Sequence, residues 1–144
     1  MNIDRPHSPN SPDRIAAFGG LPADHAVQTK NVDGFRCPLV SVVIPTRNRP
    51  ARLCECLLAL FAQSFDPDDF EIIVVDDGSQ PPIRLSEILT TSVVAAKKLP
   101  TVRLIRQDCQ GPAMARNQGA FEARGTLLAF IDDDYGKAGC WIIA

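Results

Sequence analysis

Three carboxylates stand side by side at Asp132, Asp133 and Asp134, directly after the apolar run 127–131. Like charges at such close range repel, so each acid must keep its water or find a cation. A hard divalent ion resolves the conflict. Mg2+ and Mn2+ take oxygen ligands, and Mg2+ commonly uses one or two carboxylates while phosphate oxygens and water complete its shell. The triplet therefore fits a metal-bridged phosphate ligand, with a solvated acidic turn capping a neighbouring helix as the plain alternative. A second acidic cluster, Asp76-Asp77-Gly78-Ser79, also follows an apolar run. Its carboxylates and hydroxyl can accept hydrogen bonds from a base N–H or from ribose hydroxyls, although the same tetrapeptide is also a common turn. Neither Gly-x-Gly-x-x-Gly nor Gly-x4-Gly-Lys-Ser/Thr occurs in the sequence, which argues against an ordinary dinucleotide enzyme or a P-loop NTPase. A diphosphate would have to be held by metal at the triplet, by nearby Arg or Lys, and by the amino end of a helix following Gly111.

The elements that must bring these groups together are readable from periodicity. The β-branched run 39–44 reads as a buried strand that stops at Pro45. Asn48 is suited to capping and Pro50 to the first turn of a helix. Leu53, Leu57, Leu60, Phe61 and Ser64 then make one apolar stripe, and the helix ends before Asp66-Pro67. Residues 70–75 repeat the strand signal. Residues 85–98 have mixed helical spacing, 102–106 form a shorter strand, and 112–123 read as a helix with Met114, Ala115, Gln118 and Phe121 along it. Gly125 closes that helix, and 127–131 is another apolar strand. Strands alternating with helices predict an α/β fold, a mostly parallel sheet with helices on both faces. In open sheets of this kind ligands bind beyond the carboxyl ends of the strands. Residues 46–49, 76–79 and 132–134 should therefore converge on one crevice.

Composition bounds the rest. The chain has 144 residues, 45% hydrophobic, with a formal charge of −2. That is enough for one globular domain and offers no bulk attraction for nucleic acid or an anionic membrane. No apolar stretch approaches the roughly 20 residues that cross a bilayer, so no transmembrane segment is expected. Residues 1–38 are rich in Pro, Asp and Asn and poor in large apolar residues, so they read as a flexible leader, with 39–144 as the folded part. A helical turn near Arg14 to Phe18 docking on the domain is a minor alternative. His7 and His25 both fall in the leader, which removes histidine catalysis from the folded part. Five cysteines, Cys37, Cys54, Cys56, Cys109 and Cys140, lack Cys-x2-Cys or paired-His spacing, so neither a disulfide framework nor a zinc site follows. Cys54 and Cys56 fall on or beside the helix stripe and Cys109 in a loop. Free thiols without an export signal point to the cytoplasm.

Taken in order, Val42-Val43-Ile44-Pro45-Thr46-Arg47-Asn48-Arg49, Val74-Val75-Asp76-Asp77-Gly78-Ser79, Gly111-Pro112-Ala113-Met114-Ala115-Arg116-Asn117-Gln118-Gly119 and Phe130-Ile131-Asp132-Asp133-Asp134 resemble the amino-terminal half of a family-2 glycosyltransferase. The likeness covers about 39–141. It implies a Rossmann-like GT-A nucleotide-binding half, incomplete at the carboxyl end, and an inverting, metal-dependent transfer from a nucleotide-diphosphate sugar. UDP- or GDP-sugars are the implied donors, Mg2+ or Mn2+ the cofactor, and the acceptor, whether glycan, lipid or protein, is left open.

By position, the resemblance puts Pro45, Thr46 and Arg49 against the nucleoside, and Asp76 with Asp77 at the base and ribose. It makes Asp134 the metal ligand, with Asp132 and Asp133 serving the ribose or the metal through water. Gly111, Arg116 and Asn117 would line the donor pocket, Arg116 being equally well read as half of a surface ion pair. The general base of this family lies in the second half of the domain, which here would be beyond Ala144. Lys137 departs from the proline usual after the triplet, while Trp141 keeps its register. An apolar ending at Trp141 to Ala144 reads as a truncated chain. The alternatives are thus a donor-binding fragment without catalysis, or an interaction domain whose triplet merely caps the sheet.

Overall fold

A computed structural model describes residues 37–89 and 98–134. In these residues strands and helices alternate: β1 (Val40–Thr46), α1 (Pro50–Phe61), β2 (Phe70–Asp77), α2 (Leu85–Ile88), β3 (Thr101–Gln107), α3 (Pro112–Glu122) and β4 (Leu127–Phe130). The strands pair in parallel as one sheet, ordered β3-β2-β1-β4. The chain begins in the middle, steps outward through β2 and β3, then returns past β1 to lay down β4. The direction of winding reverses between β1 and β4, which is where a parallel sheet opens a crevice at its carboxyl edge.

β2 is buried along its whole length, as a strand covered on both faces must be. Because side chains alternate, Val42, Ile44, Ile72 and Val74 pack with Leu53, Cys56, Leu57 and Leu60 of α1. Val43, Ile73 and Val75 point the other way, around Ala115 of α3. This second helix sits close to the sheet because Gly119 has no side chain: a Cβ there would lie 2.3 Å from Val43 Cγ1. Small residues therefore make the contact. Met114 and Phe121, expected as part of the helix's apolar pattern, are 47% and 68% exposed.

Two local expectations change. The position preceding α1 is taken by Arg49, with no side-chain cap, while Asn48 adopts φ 55 and serves elsewhere. β1 also continues through Pro45 to Thr46. The carbonyls of Leu39 and Val43 accept from Leu127 and Ile131 of the β4 segment, so Pro45, two residues further, faces the same side. Having no N–H, it ends that ladder while Ile44 and Thr46 continue to pair with β2. α2 is a single turn, and the rest of the helical spacing at 90–97 lies outside the described residues. So do the leader 1–36 with its histidines, and 135–144 with Lys137, Cys140 and Trp141. No helix among the described residues is long and apolar enough to cross a membrane.

Candidate functional site

Where β1 and β4 part, a crevice of about 550 Å³ opens. Its walls are residues 45–49 at and beyond the end of β1, Asp77 at the end of β2, Gly111 and Pro112 at the start of α3, Arg116, and the three acids after β4. Gly111, at φ 93, turns the chain into α3 through a conformation that L side chains rarely adopt. The positive end of an 11-residue helix thus opens on the crevice.

The acid triplet is split by direction. Asp133 is buried, and its carboxylate accepts from Thr46 Oγ1 at 2.8 Å and from Arg49 Nη1 at 3.2 Å. Asp132 and Asp134 on either side are exposed. Arg116 Nη2 donates to Asp132 Oδ1 at 2.5 Å across the crevice, an ion pair whose two side chains are 37% and 59% exposed. Below them lies Cys56. Burial, and then the charges of Asp133 and Asp134, push its thiol up to about 11, so at neutral pH it is a protonated, inert core residue.

No group of three or more His, Cys, Asp or Glu side chains forms a metal cage among the described residues. What the site offers is sparse and all-oxygen: two exposed carboxylates flanking a buried one. That donor set fits Mg2+ or Mn2+ completed by phosphate oxygens and water, and lacks the imidazole and thiolate ligands from which structural zinc sites are built.

Asp77 is the other organising acid. Gln107 Nε2 and the Gln110 N–H each donate to its Oδ1 at 2.8 Å, and the Gly111 N–H donates to Oδ2 at 2.9 Å. Burial pushes this carboxyl up, but the bonds from Gln110, Gln107 and Gly111 and the charge of Arg47 outweigh it and hold the group below its ordinary value. It is therefore ionised at neutral pH, and it fixes the approach to α3. Gly78, at φ 73, lets the same turn press against that loop: a Cβ there would meet the Cys109 nitrogen at 2.9 Å.

Of the residues singled out from sequence, Pro45, Thr46, Arg49, Asp77, Gly111, Arg116, Asp132, Asp133 and Asp134 meet at the crevice. Two do not. Asn117 is exposed on α3 away from the walls, and Asp76 is 1% exposed with its carboxylate turned into the protein, toward Arg106 and backbone N–H groups. Arg47 and Asn48, expected here as part of the 46–49 segment, also line the crevice, together with Pro112. Gln107 and Gln110, which the sequence reading does not name, stand at and just after the end of β3, the remaining strand whose carboxyl end faces this edge. A second cavity, of about 520 Å³, lies beside the start of α1 among Pro50, Cys54, Pro82, Ile83 and Ile88. It gathers none of these acids.

Comparison with known proteins agrees with the geometry. The family model for glycosyl transferase family 2 matches residues 41–135. Glycosyltransferase AglE of Haloferax volcanii is 35% identical over 105 residues, 73% of this chain and 33% of its own. Validoxylamine A glucosyltransferase of Streptomyces hygroscopicus subsp. limoneus is 41% identical over 97 residues, 66% of this chain and 20% of its own. Among solved structures, Staphylococcus aureus TarS in complex with UDP-GlcNAc superposes with a TM-score of 0.54 at 29% identity, over 66% of this chain and 26% of that one. The mannosyltransferase PcManGT of Pyrobaculum calidifontis shares the fold, with a TM-score of 0.57 at 24% identity over 74% of this chain and 29% of its own. The chain thus spans a third or less of the length of these relatives. With the matched segment coinciding with the parallel sheet and its crevice, the chain belongs to glycosyl transferase family 2, in its Rossmann-like GT-A fold.

Proposed function

We propose that this chain grips the donor in an inverting, metal-dependent glycosyl transfer, binding a nucleotide-diphosphate sugar at the switch-point crevice. UDP- and GDP-sugars are the donor classes, and the acceptor is a glycan, lipid or protein hydroxyl. The observation that carries the reading is the split triplet: Asp133 is anchored inward while Asp132 and Asp134 face the mouth of α3. The TarS structures, solved with UDP and with UDP-GlcNAc, support a nucleotide-sugar ligand.

Pro45, Thr46 and Arg49 line the nucleoside side, and Asp77 accepts from base or ribose with the oxygen lone pairs its three donors leave over. Asp134 and Asp132 would hold Mg2+ or Mn2+, which when bound supplies Lewis-acid stabilisation of the departing nucleoside diphosphate. Arg116 and the free N–H groups at the start of α3 face the same charge. Arg116 is paired with Asp132 here, so binding the diphosphate requires it to exchange one anion for another. The acceptor hydroxyl must also lose a proton. The family resemblance assigns that step to an acid in the second half of the domain, so donor binding without transfer is the second reading for a chain spanning a third of its relatives. The free thiols of the described residues accord with a cytoplasmic setting.

Calorimetry of the 144-residue chain with UDP, GDP and their sugars, with and without Mn2+, tests the proposal. Binding should depend on Mn2+ and weaken roughly 10- to 100-fold in Asp134→Ala. Metal-independent binding, or affinity unchanged by that substitution, would sink it. Sugar transfer or donor hydrolysis favours the catalytic reading, and binding alone the second.

A further inference from the structure

Asp76 is buried at the edge of the crevice yet offers it nothing. Its Oδ1 accepts from the Ser79 N–H at 2.9 Å, and its Oδ2 from the Ile83 N–H at 3.2 Å and from Arg106 Nη1 at 2.7 Å. These bonds close the turn after β2 and draw in β3. Arg106 then donates through Nη2 to the Ser79 carbonyl at 3.0 Å. Ser79 is fully buried and outside the crevice walls, and its third polar atom, Oγ, accepts from the Asn48 N–H at 2.8 Å. Asn48 returns the contact, its Oδ1 accepting from the Gln80 N–H at 2.8 Å.

Two reciprocal bonds thus fasten the loop after β1 to the loop after β2, across 31 residues of sequence. They are made at the residue holding φ 55, a conformation that costs an L residue energy and that Asn tolerates better than most. The fastened residue stands between Arg47, whose charge acts on Asp77, and Arg49, which together with Thr46 holds Asp133 inward.

We infer that Asp76, Ser79 and Asn48 form a positioning latch: Asp76, braced by Arg106, presents the Ser79 hydroxyl to the Asn48 amide and so fixes the 47–49 loop over the donor crevice. Asp76 is then a positioning residue that acts through Ser79, not a ligand of base or ribose. This rests on the crevice being a nucleotide site, and it adds how that site is kept in shape before the donor arrives.

The test uses Ser79→Ala, which removes a hydroxyl that cannot reach a ligand, and Asn48→Gly, which keeps the positive φ but deletes the Oδ1 acceptor at an exposed position. In the free chain, amide exchange at 47–49 should quicken at least about tenfold in Ser79→Ala relative to the sheet amides. Unchanged exchange overturns the latch. Mn2+-dependent affinity for UDP or GDP, whichever the wild type binds, should fall roughly five- to tenfold in each variant, with thermal midpoints recorded alongside. The double variant should be no weaker than the worse single one, because either break opens the same latch. Faster exchange with unchanged affinity, or losses that multiply in the double variant, overturns the positioning role. If the wild type binds neither nucleotide, the donor reading fails, and the exchange measurement still decides the latch.

Discussion

At the amino end of the sheet Glu71 is 2% exposed, and its carboxylate accepts from Ser41 Oγ at 2.7 Å, from the Arg124 N–H at 2.8 Å and from Arg103 at 3.3 Å. Arg103 also donates to the carbonyl and the side chain of Glu122, each at 2.9 Å, and the Gly125 N–H closes the circuit on Ser41 Oγ. At the carboxyl end Asp133 is 4% exposed and is held by two donors, Thr46 and Arg49. Each end holds a buried, hydrogen-bonded acid. They differ in direction: the amino-end network is closed upon itself and ties β1, β2, β3 and α3 together, while the carboxyl end anchors one acid so that two neighbours face outward. A buried carboxylate with all its partners at home is an architectural part; a site needs acids that the fold leaves turned to solvent.

The contrast makes opposite demands of variants at the two ends. Glu71→Ala strips Arg103 of a buried partner and leaves Ser41 and the Arg124 amide unsatisfied. It should lower unfolding stability by about 3 kcal/mol in denaturant titration and leave the nucleotide affinity of the folded protein unchanged. Asp134→Ala should do the reverse, costing binding and no stability. Equal loss of affinity from both would erase the distinction.

A smaller effect is expected from Asp77→Asn. Because the folded-state pKa of Asp77 lies below its unfolded value, its contribution is present above the ordinary carboxylate range. It is lost as pH falls through the lowered value. The acid limb of a stability profile should therefore flatten in Asp77→Asn, by about 1 kcal/mol of pH-dependent stability. An unaltered limb would detach the Gln110, Gln107 and Gly111 clamp from stability. Smallest of all, a thiol reagent at pH 8 should modify exposed Cys109 and spare Cys56, whose thiol stays protonated until about 11. Labelling of Cys56 in the native protein would show that the floor of the acid end opens.

Much of this plan was readable in one dimension. The runs at β1 and β2 are apolar because both faces are covered, and the acids that matter stand where the runs at β2 and β4 stop. Direction was harder to read. Asp76 and Asp77 are adjacent and chemically identical, yet one faces Arg106 and the other the crevice, a choice set by β3 side chains 30 residues away. The face of α3 also escaped hydropathy. Hydropathy is dominated by large residues, and the contact is made by Ala115 and Gly119 because the helix lies too near Val43 for anything bigger. Capping is a common role for an Asn before a helix, whereas Asn48 holds a positive φ and bonds to Ser79 and Gln80 of another loop.

Pro45 carries one more consequence. In a parallel ladder the Ile131 carbonyl would next receive a hydrogen from position 45, and an imino acid has none to give. The zipper between the two strands therefore runs out of teeth one step before Asp132, and the backbone of the acids is not bound into the ladder. An ordinary β-branched residue in that place would add a rung and pull the acidic tip back into line. A single absent hydrogen thus separates a strand that merely ends from one that reaches out.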